Sequence, residues 1–227
     1  LAYETALPNI HLVHLSSRKA VQAELMMAEV FPHIDFRREV TIGHLMLDTT
    51  SKAAELAKVN PPIRPREDVE FLWHALLSGK LDWVASDHAC CRHEMKIPKH
   101  YFGNIWIAKS GFGGTEYLLP ALLSEGKRRG MGYNHIARVT SWNAAQRFGL
   151  NRKGDIAEGF DADIAIVDPA HTWTIAARDS LSTQGYTPFE GLEMSARVDA
   201  TFLRGMKIFE NGQVLGKPRG EYLHRPT

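Results

Sequence analysis

Apolar and polar residues alternate along "NIHLVHLSS", with Ile10, Leu12 and His14 on one face and His11, Val13 and Leu15 on the other. That period of two predicts a buried strand that ends in polar residues. The spacing then lengthens to three and four. Val21, Leu25, Met26 and Val30 in "SRKAVQAELMMAEVF" predict a helix with those residues inward and Ser16 or Ser17 as its N-cap. "DFRREVTI" reads as the next strand. "VNPPIRPREDVEFLWHALLSG" predicts a proline-stiffened loop, then a helix with Val69, Leu72, Trp73, Leu76 and Leu77 inward and Gly79 as its C-cap, and "LDWVAS" is the strand after it. Strands separated by helices of this length imply a parallel sheet with right-handed crossovers, in a barrel or a doubly wound sheet.

Thr115 to Gly130 and Asn134 to Gly149 then read as helical. From Asp161 to Val214 the period returns to two in "DADIAIVD", "HTWTIAA", "RVDATFLRG" and "MKIFENGQV", the last with Asn211-Gly212 as a type I′ hairpin turn. This predicts a separate antiparallel region. No internal repeat or low-complexity segment interrupts the pattern.

Composition adds limits rather than detail. The chain has 227 residues, 44% hydrophobic and 23% charged, which is enough apolar material for a substantial core. Its net charge is +1, and the one basic cluster, Lys127-Arg128-Arg129, suits a helix end better than a phosphate site, so no nucleic acid partner is expected. No apolar run is long enough to span a membrane, and "LAYETALPNI" lacks the basic start and cleavage site of a signal peptide. The expectation is a soluble, cytoplasmic protein with no membrane partner. Cys90 and Cys91 are the only cysteines and are adjacent, which disfavours a disulfide and suggests reduced thiols beside a site.

Candidate chemistry gathers in "DWVASDHACCRHE" and at the end of the first strand. His14 and Asp87 each stand at the carboxyl end of a predicted strand, where an α/β barrel collects its catalytic groups. Imidazole and carboxylate are suitable ligands for a divalent ion, and a free carboxylate oxygen can also take a proton from water. The plainer alternative for each is a hydrogen-bonded polar group at a strand end. His11 faces away from His14 and is expected to pack against a helix. His33, His74, His135, His171 and His224 fall in surface contexts and receive no role. His93, Glu94, Cys90 and Cys91 have ligand chemistry but neither C-x-x-C nor H-E-x-x-H spacing, which disfavours a zinc-bound module there. Gly111, Gly113 and Gly114 in "KSGFGGTEYLLP" lack the pattern of a phosphate loop and read as a turn entering a helix, with Glu116 in its first turn.

Taken together, the segments resemble the cyclic amidohydrolases: dihydroorotase, allantoinase, dihydropyrimidinase and hydantoinase. "HLVHLSS" is similar to the family's strand-six motif and "REVTIGHLMLD" to its strand-seven E-V-T-P-H-H-L-x-L. "VNPPIRPREDVEFLWHALLSGKLDWVASDHA" is similar to its N-P-P-L-R through S-D-H-A-P block, and the two segments "SWNAAQRFGLNRKGDIAEGFDADIAIVDP" and "TPFEGLEMSARVDATFLRGMKIFENGQV" resemble its tail. The resemblance implies an α/β fold: the C-terminal part of a TIM-like (β/α)8 barrel over residues 1–155, with strands of a small β-sandwich and a tail over 156–227. It further implies that His14 binds one metal of a two-metal site, while Asp87 binds the other and shuttles the proton of a bridging hydroxide.

The same resemblance implies two zinc ions per complete site and a small cyclic amide or ureide as substrate. Asn60 and the segment Ser110, Gly111, Phe112, Gly113 and Gly114 match positions that line the substrate pocket. His44 and Arg64 match family positions, although Ile42 and Gly43 replace the Pro and His before His44; His88 and Cys91 are further possible site residues. Cys91 stands where many dihydroorotases have His and many allantoinases have Cys, which makes dihydroorotate the weaker substrate. The family's His-x-His pair, its carboxylated lysine and a further histidine would all precede Leu1. The expectation is therefore a C-terminal portion that works with an N-terminal portion, in cis or as a second chain, in a homo-oligomer. A non-catalytic assembly protein on the same fold is the rival reading.

Overall fold

The computed structural model describes residues 3–101 and 103–225. These fall into two compact units, one of Leu1–Leu118 with Ile175–Leu192 and the other of Leu119–Thr174 with Glu193–Thr227.

The first unit is built on a parallel sheet. Strands β1 (Asn9–Leu12), β2 (Asp35–Thr41) and β3 (Trp83–Ala85) pair in that order, with His11 opposite Arg37 and Glu39 opposite Trp83. Helix α1 (Arg18–Val30) connects the first two strands, while the short α2 (Ile42–Met46) and the longer α3 (Arg66–Leu77) lie between the second and third. Phe36, Val40 and Val84 are buried on the sheet, together with Val69, Leu72, Trp73 and Leu76 of α3. Gly79 closes α3 at φ 72°, a left-handed position that favours glycine, and Lys80 N–H reaches back to the Ala75 carbonyl at 2.8 Å. These strands form an open sheet, and no closed barrel is seen among the described residues, since closure needs more strands than the three paired here.

Ser17 caps α1 by accepting from Ala20 N–H at 3.2 Å. The helix does not present the expected face, however. Met26 and Val30 are 64% and 60% exposed, while Val21 and Glu24 are buried. An ion pair lies on the buried face instead, with Glu24 Oε2 2.5 Å from Arg38 Nε on β2. Arg38 thus supplies the opposite charge that a buried carboxylate needs, although burial still raises the Glu24 pKa above the ordinary carboxylate range.

In the second unit, the expected helices are present but unevenly wound. Helix α5 (Thr115–Ala121) opens in the first unit and passes into a wider turn at Leu122–Gly126. Helices α6 (Tyr133–Ala137) and α7 (Asn143–Arg147) flank another at Arg138–Trp142. Side-chain hydroxyls bond back to the previous turn at both places, Ser124 Oγ to the Pro120 carbonyl at 2.7 Å and Thr140 Oγ1 to the Ile136 carbonyl at 2.8 Å. Arg128 and Arg129 pair with Glu125, and Lys127 lies 3.9 Å from the centre of the Tyr133 ring, so the basic cluster already has partners. Strands β4 (Ile164–Asp168), β7 (Arg197–Leu203), β8 (Met206–Glu210) and β9 (Gln213–Val214) form an antiparallel sheet in that order, beside the two-stranded pair β5 (Trp173–Thr174) and β6 (Glu193–Met194). Asn211 and Gly212 both have positive φ, 49° and 83°, as the expected type I′ turn requires.

Candidate active site

Glu39 organises the carboxyl ends of the parallel strands. One carboxylate oxygen accepts the His14 backbone N–H at 3.3 Å, while the Glu39 carbonyl accepts Leu15 N–H at 2.8 Å. The other oxygen accepts Trp83 Nε1–H at 3.0 Å and lies 3.3 Å from His11 Nε2. His11 also stacks edge-on against Trp83, with ring centres 4.5 Å apart. Its expected place against a helix is therefore corrected: the imidazole lies on the sheet face that carries Glu39 and Trp83. Alternation cannot be extended from His11 to His14, because β1 ends at Leu12 and His14 has turned into left-handed backbone.

His14 and Asp87 share that unusual conformation, with φ of 43° and 47°. The Cβ makes this region costly, by about 1–3 kcal/mol for a strained residue, so the surrounding bonds must hold it. The two residues follow β1 and β3 on either side of β2, and His14 is close enough to act on the Asp87 carboxyl. Partial burial raises the Asp87 carboxyl above the ordinary carboxylate range; His14 opposes the rise and Glu39 adds to it. Asp87 is an exposed residue, so solvent screens these influences, and their direction alone carries meaning.

His44 sits deeper, 2% exposed at the start of α2. Its Nδ1 lies 2.7 Å from Thr41 Oγ1 and its Nε2 2.9 Å from the Pro61 carbonyl. A carbonyl can only accept, so Nε2 carries the proton and Nδ1 accepts from the Thr41 hydroxyl. Both ring nitrogens are thereby engaged, and the ring tethers the loop of Asn60, itself exposed. Burial lowers the His44 pKa to about 4, with the Pro61 bond opposing and His14 and Arg64 adding to the shift. Arg64 Nε reaches Ser16 Oγ at 3.4 Å, which ties the same loop to the residues after β1.

A second set of bonds joins the residues after Asp87 to the segment before α5. Ala89 N–H donates to the Phe112 carbonyl at 3.1 Å, and His88 Nδ1 accepts from the backbone N–H groups of Gly114 and Thr115 at 3.2 and 3.3 Å. His88 thus holds the entry to α5. Gly111, at φ 93°, must remain glycine, since a Cβ would come within 2.7 Å of Ala89 Cβ, and a Cβ at Gly113 would press on Gln184 Oε1 and His88 Cε1, each 2.9 Å away. Gln184 Oε1 also accepts Gly113 N–H at 2.9 Å. Ser110 is exposed, whereas the Phe112 ring is buried, edge-on to Phe189 at 5.8 Å between ring centres. Gly43 makes room for that ring, since a Cβ there would lie 2.8 Å from Phe112 Cζ. The aromatic ring occupies space that a larger residue at position 43 would take.

Cys90 and Cys91 are free thiols. Among the described residues, no group of three or more His, Cys, Asp or Glu side chains is placed to hold a metal ion. His14 and Asp87 fit a divalent ion as part of a donor set, being of the right chemistry, electrostatically coupled and presented from strand ends, but they do not complete one. Glu39, Thr41, Lys96 and Gln184 complete the local architecture and were absent from the residues singled out by sequence. Glu39 stands among Arg37, Arg38 and Thr41 in β2, so nothing in the local pattern set it apart.

Residues 4–212 match the amidohydrolase family. The chain belongs to that family. Among its relatives, an allantoinase of Rubrobacter xylanophilus is 38% identical over 219 residues, a match covering 95% of this chain and 47% of the relative. A dihydroorotase of Methanosarcina acetivorans is 35% identical over 222 residues, covering 94% and 46%. The structure of a D-hydantoinase (dihydropyrimidinase) from Thermus sp. superposes with a TM-score of 0.85 at 31% identity, covering 94% of this chain and 47% of that one. This amidohydrolase chain therefore has a mixed α/β fold that matches part of the hydantoinase structure, and it spans about half the length of the curated relatives it matches. No helix among the described residues is long and apolar enough to cross a membrane.

Proposed function

We propose that this chain forms part of a metal-dependent hydrolase that opens a cyclic amide or ureide ring of the hydantoin, allantoin or dihydropyrimidine type. The observation that carries the reading is the pairing of His14 and Asp87, two metal-compatible groups held in left-handed backbone at the ends of parallel strands and coupled to each other. His14 and Asp87 would hold divalent ions, two zinc ions in the complete site, with the remaining ligands, a carboxylated lysine among them, supplied by further amidohydrolase residues in cis or on a second chain. When bound, such ions make water a nucleophile at neutral pH and polarise the carbonyl under attack.

The chain's own residues do the rest. The Asp87 carboxylate takes the proton from the attacking water and returns it to the ring nitrogen as the C–N bond breaks, so acid and base are one group used twice. Glu39 fixes the backbone of His14, and His44 and Arg64 fix the loop that presents Asn60. His88 and Gln184 fix the segment Ser110, Gly111, Phe112 and Gly113, whose backbone would orient the ring. The barrel part would comprise residues 1–155 and the sandwich strands 156–227, with the complete protein assembling as a homo-oligomer. Cys91 and the allantoinase likeness favour an allantoin-type ureide over dihydroorotate.

The test is to assay residues 1–227, alone and joined to the remaining portion of an amidohydrolase barrel, with zinc and with allantoin, hydantoin and dihydrouracil. Ring opening is expected only for the joined form. An assembly protein would leave all three substrates intact in both forms and bind no zinc.

A further inference from the structure

Lys96 is the last residue of helix α4 (His93–Lys96), and its side chain is wholly buried. Its three N–H donors meet three backbone carbonyls: Lys58 at 2.8 Å, Lys109 at 2.7 Å and Gly111 at 2.7 Å. An ammonium removed from water is tolerated only when its donors are satisfied, and three carbonyl dipoles achieve that here. The backbone doubles the connection, because Gly111 N–H donates to the Lys58 carbonyl at 3.0 Å and Lys109 N–H to the Lys96 carbonyl at 2.9 Å. Lys58 stands two residues before Asn60, and Lys109 and Gly111 flank Ser110. The buried charge therefore joins the two stretches that the preceding reading assigns to the substrate.

We infer that Lys96 is a positioning residue, a charged clip that sets the spacing between the Asn60 loop and the Ser110–Gly113 segment and through them holds the cyclic amide. It touches no reacting atom. This inference rests on the cyclic-amide reading for its consequence and on the three carbonyl bonds for its mechanics.

The clip also has a pH limit. Burial lowers the Lys96 pKa to about 8, with Cys91 opposing and Lys58 reinforcing the shift. The Phe112 ring lies 6.0 Å from Nζ and carries no charge. Below about 8 the ammonium offers three donors. Above it, a neutral amine offers two, and one of the three carbonyls loses its bond to Nζ.

The experiment uses the complete zinc-loaded protein and its Lys96→Met variant, which keeps the length of the side chain and removes the donors. Amide hydrogen exchange at residues 58–60 and 109–113, zinc content, KM and kcat are measured together. Exchange in both segments is expected to accelerate about 10-fold or more, and KM to rise by about 10-fold, from the loss of charge-assisted hydrogen bonds. Zinc content should hold, and kcat should change far less than KM. A folded variant with unchanged exchange in those segments, or with accelerated exchange and an unchanged KM, would overturn the inference. Should Lys96→Met fail to fold, wild-type exchange between pH 7 and 9, corrected for intrinsic chemistry, decides instead: excess opening confined to the two segments is expected, and its absence contradicts the clip. A wild-type protein that opens no cyclic amide would remove the substrate reading, while the exchange data would still decide whether Lys96 holds the segments.

Discussion

The two units use the same backbone anomaly for different ends. In the antiparallel unit, the non-glycine residues at positive φ, Arg204 at 47° and Asn211 at 49°, each precede a glycine in a tight turn between paired strands. The turn itself explains them. In the parallel unit four of the described non-glycine residues have positive φ: Ala6 in a turn, Ala54 at the start of a short 3₁₀ helix, and His14 and Asp87 after β1 and β3, where the chain leaves the sheet without a hairpin. What His14 and Asp87 share is the carboxyl edge of one sheet, with Glu39 between them and His14 acting on the Asp87 carboxyl. A similar φ is thus a folding device at the hairpins and, in the proposed function, a means of aiming ligands at His14 and Asp87.

The sharpest way to break this comparison is Asp87→Asn in the complete protein. The side chain keeps its shape but loses its basicity, and ring opening should fall by roughly 10²-fold or more in kcat, because a ligand and a proton carrier are lost together. Near-normal turnover with metal still bound would reduce Asp87 to a strand-end residue like any other.

A smaller effect concerns His44, the buried ring that tethers the Asn60 loop. Its folded pKa of about 4 lies below the ordinary 6.5, so between those values the unfolded chain binds the extra proton and the folded chain does not. Stability should therefore be full above about pH 6.5 and fall as the pH drops towards 4, by up to about 3 kcal/mol if the ring alone is responsible. Chemical denaturation across this range checks it, and a His44→Asn variant should show a shallower acid limb. An equally steep limb in that variant would place the acid sensitivity elsewhere.

Smallest, and aimed at the comparison itself, is a pair of substitutions. His14→Gly removes the strained Cβ, so its stability should stay within about 1 kcal/mol of wild type or rise, even as metal affinity falls. Asn211→Ala puts a residue poorly suited to positive φ into the hairpin and should lose about 1 kcal/mol with no effect on metal. Thermal unfolding and metal titration of both variants separate the two cases. A destabilised His14→Gly with unaltered metal binding would make both anomalies structural.

Much of the first unit was legible in the sequence. The strand and helix order, the inward face of α3 and the glycine that ends it follow from apolar spacing and left-handed geometry, and Asn211-Gly212 announced its hairpin. Where reading failed, long-range polar pairing had intervened. On α1 the buried face carries Glu24, paired with Arg38 14 positions away in sequence, while Met26 and Val30 are exposed, and apolar spacing alone announces neither. His11 was misplaced because alternation was carried past Leu12 into a residue that had already left the strand. Lys96 gave no signal, since nothing in "HEMKI" shows that three distant carbonyls will surround its ammonium. His14 and Asp87 were visible as candidates by type and strand-end position, while Glu39, which braces the first of them, required the register of three strands to be known.

The central claim is that His14 and Asp87 are metal donors, and the most direct measurement is the zinc stoichiometry of the complete protein beside that of His14→Ala/Asp87→Ala. The account predicts zinc in the wild type and its loss from the double variant, with circular dichroism showing the fold retained. Stoichiometric zinc retained by a folded double variant would contradict it.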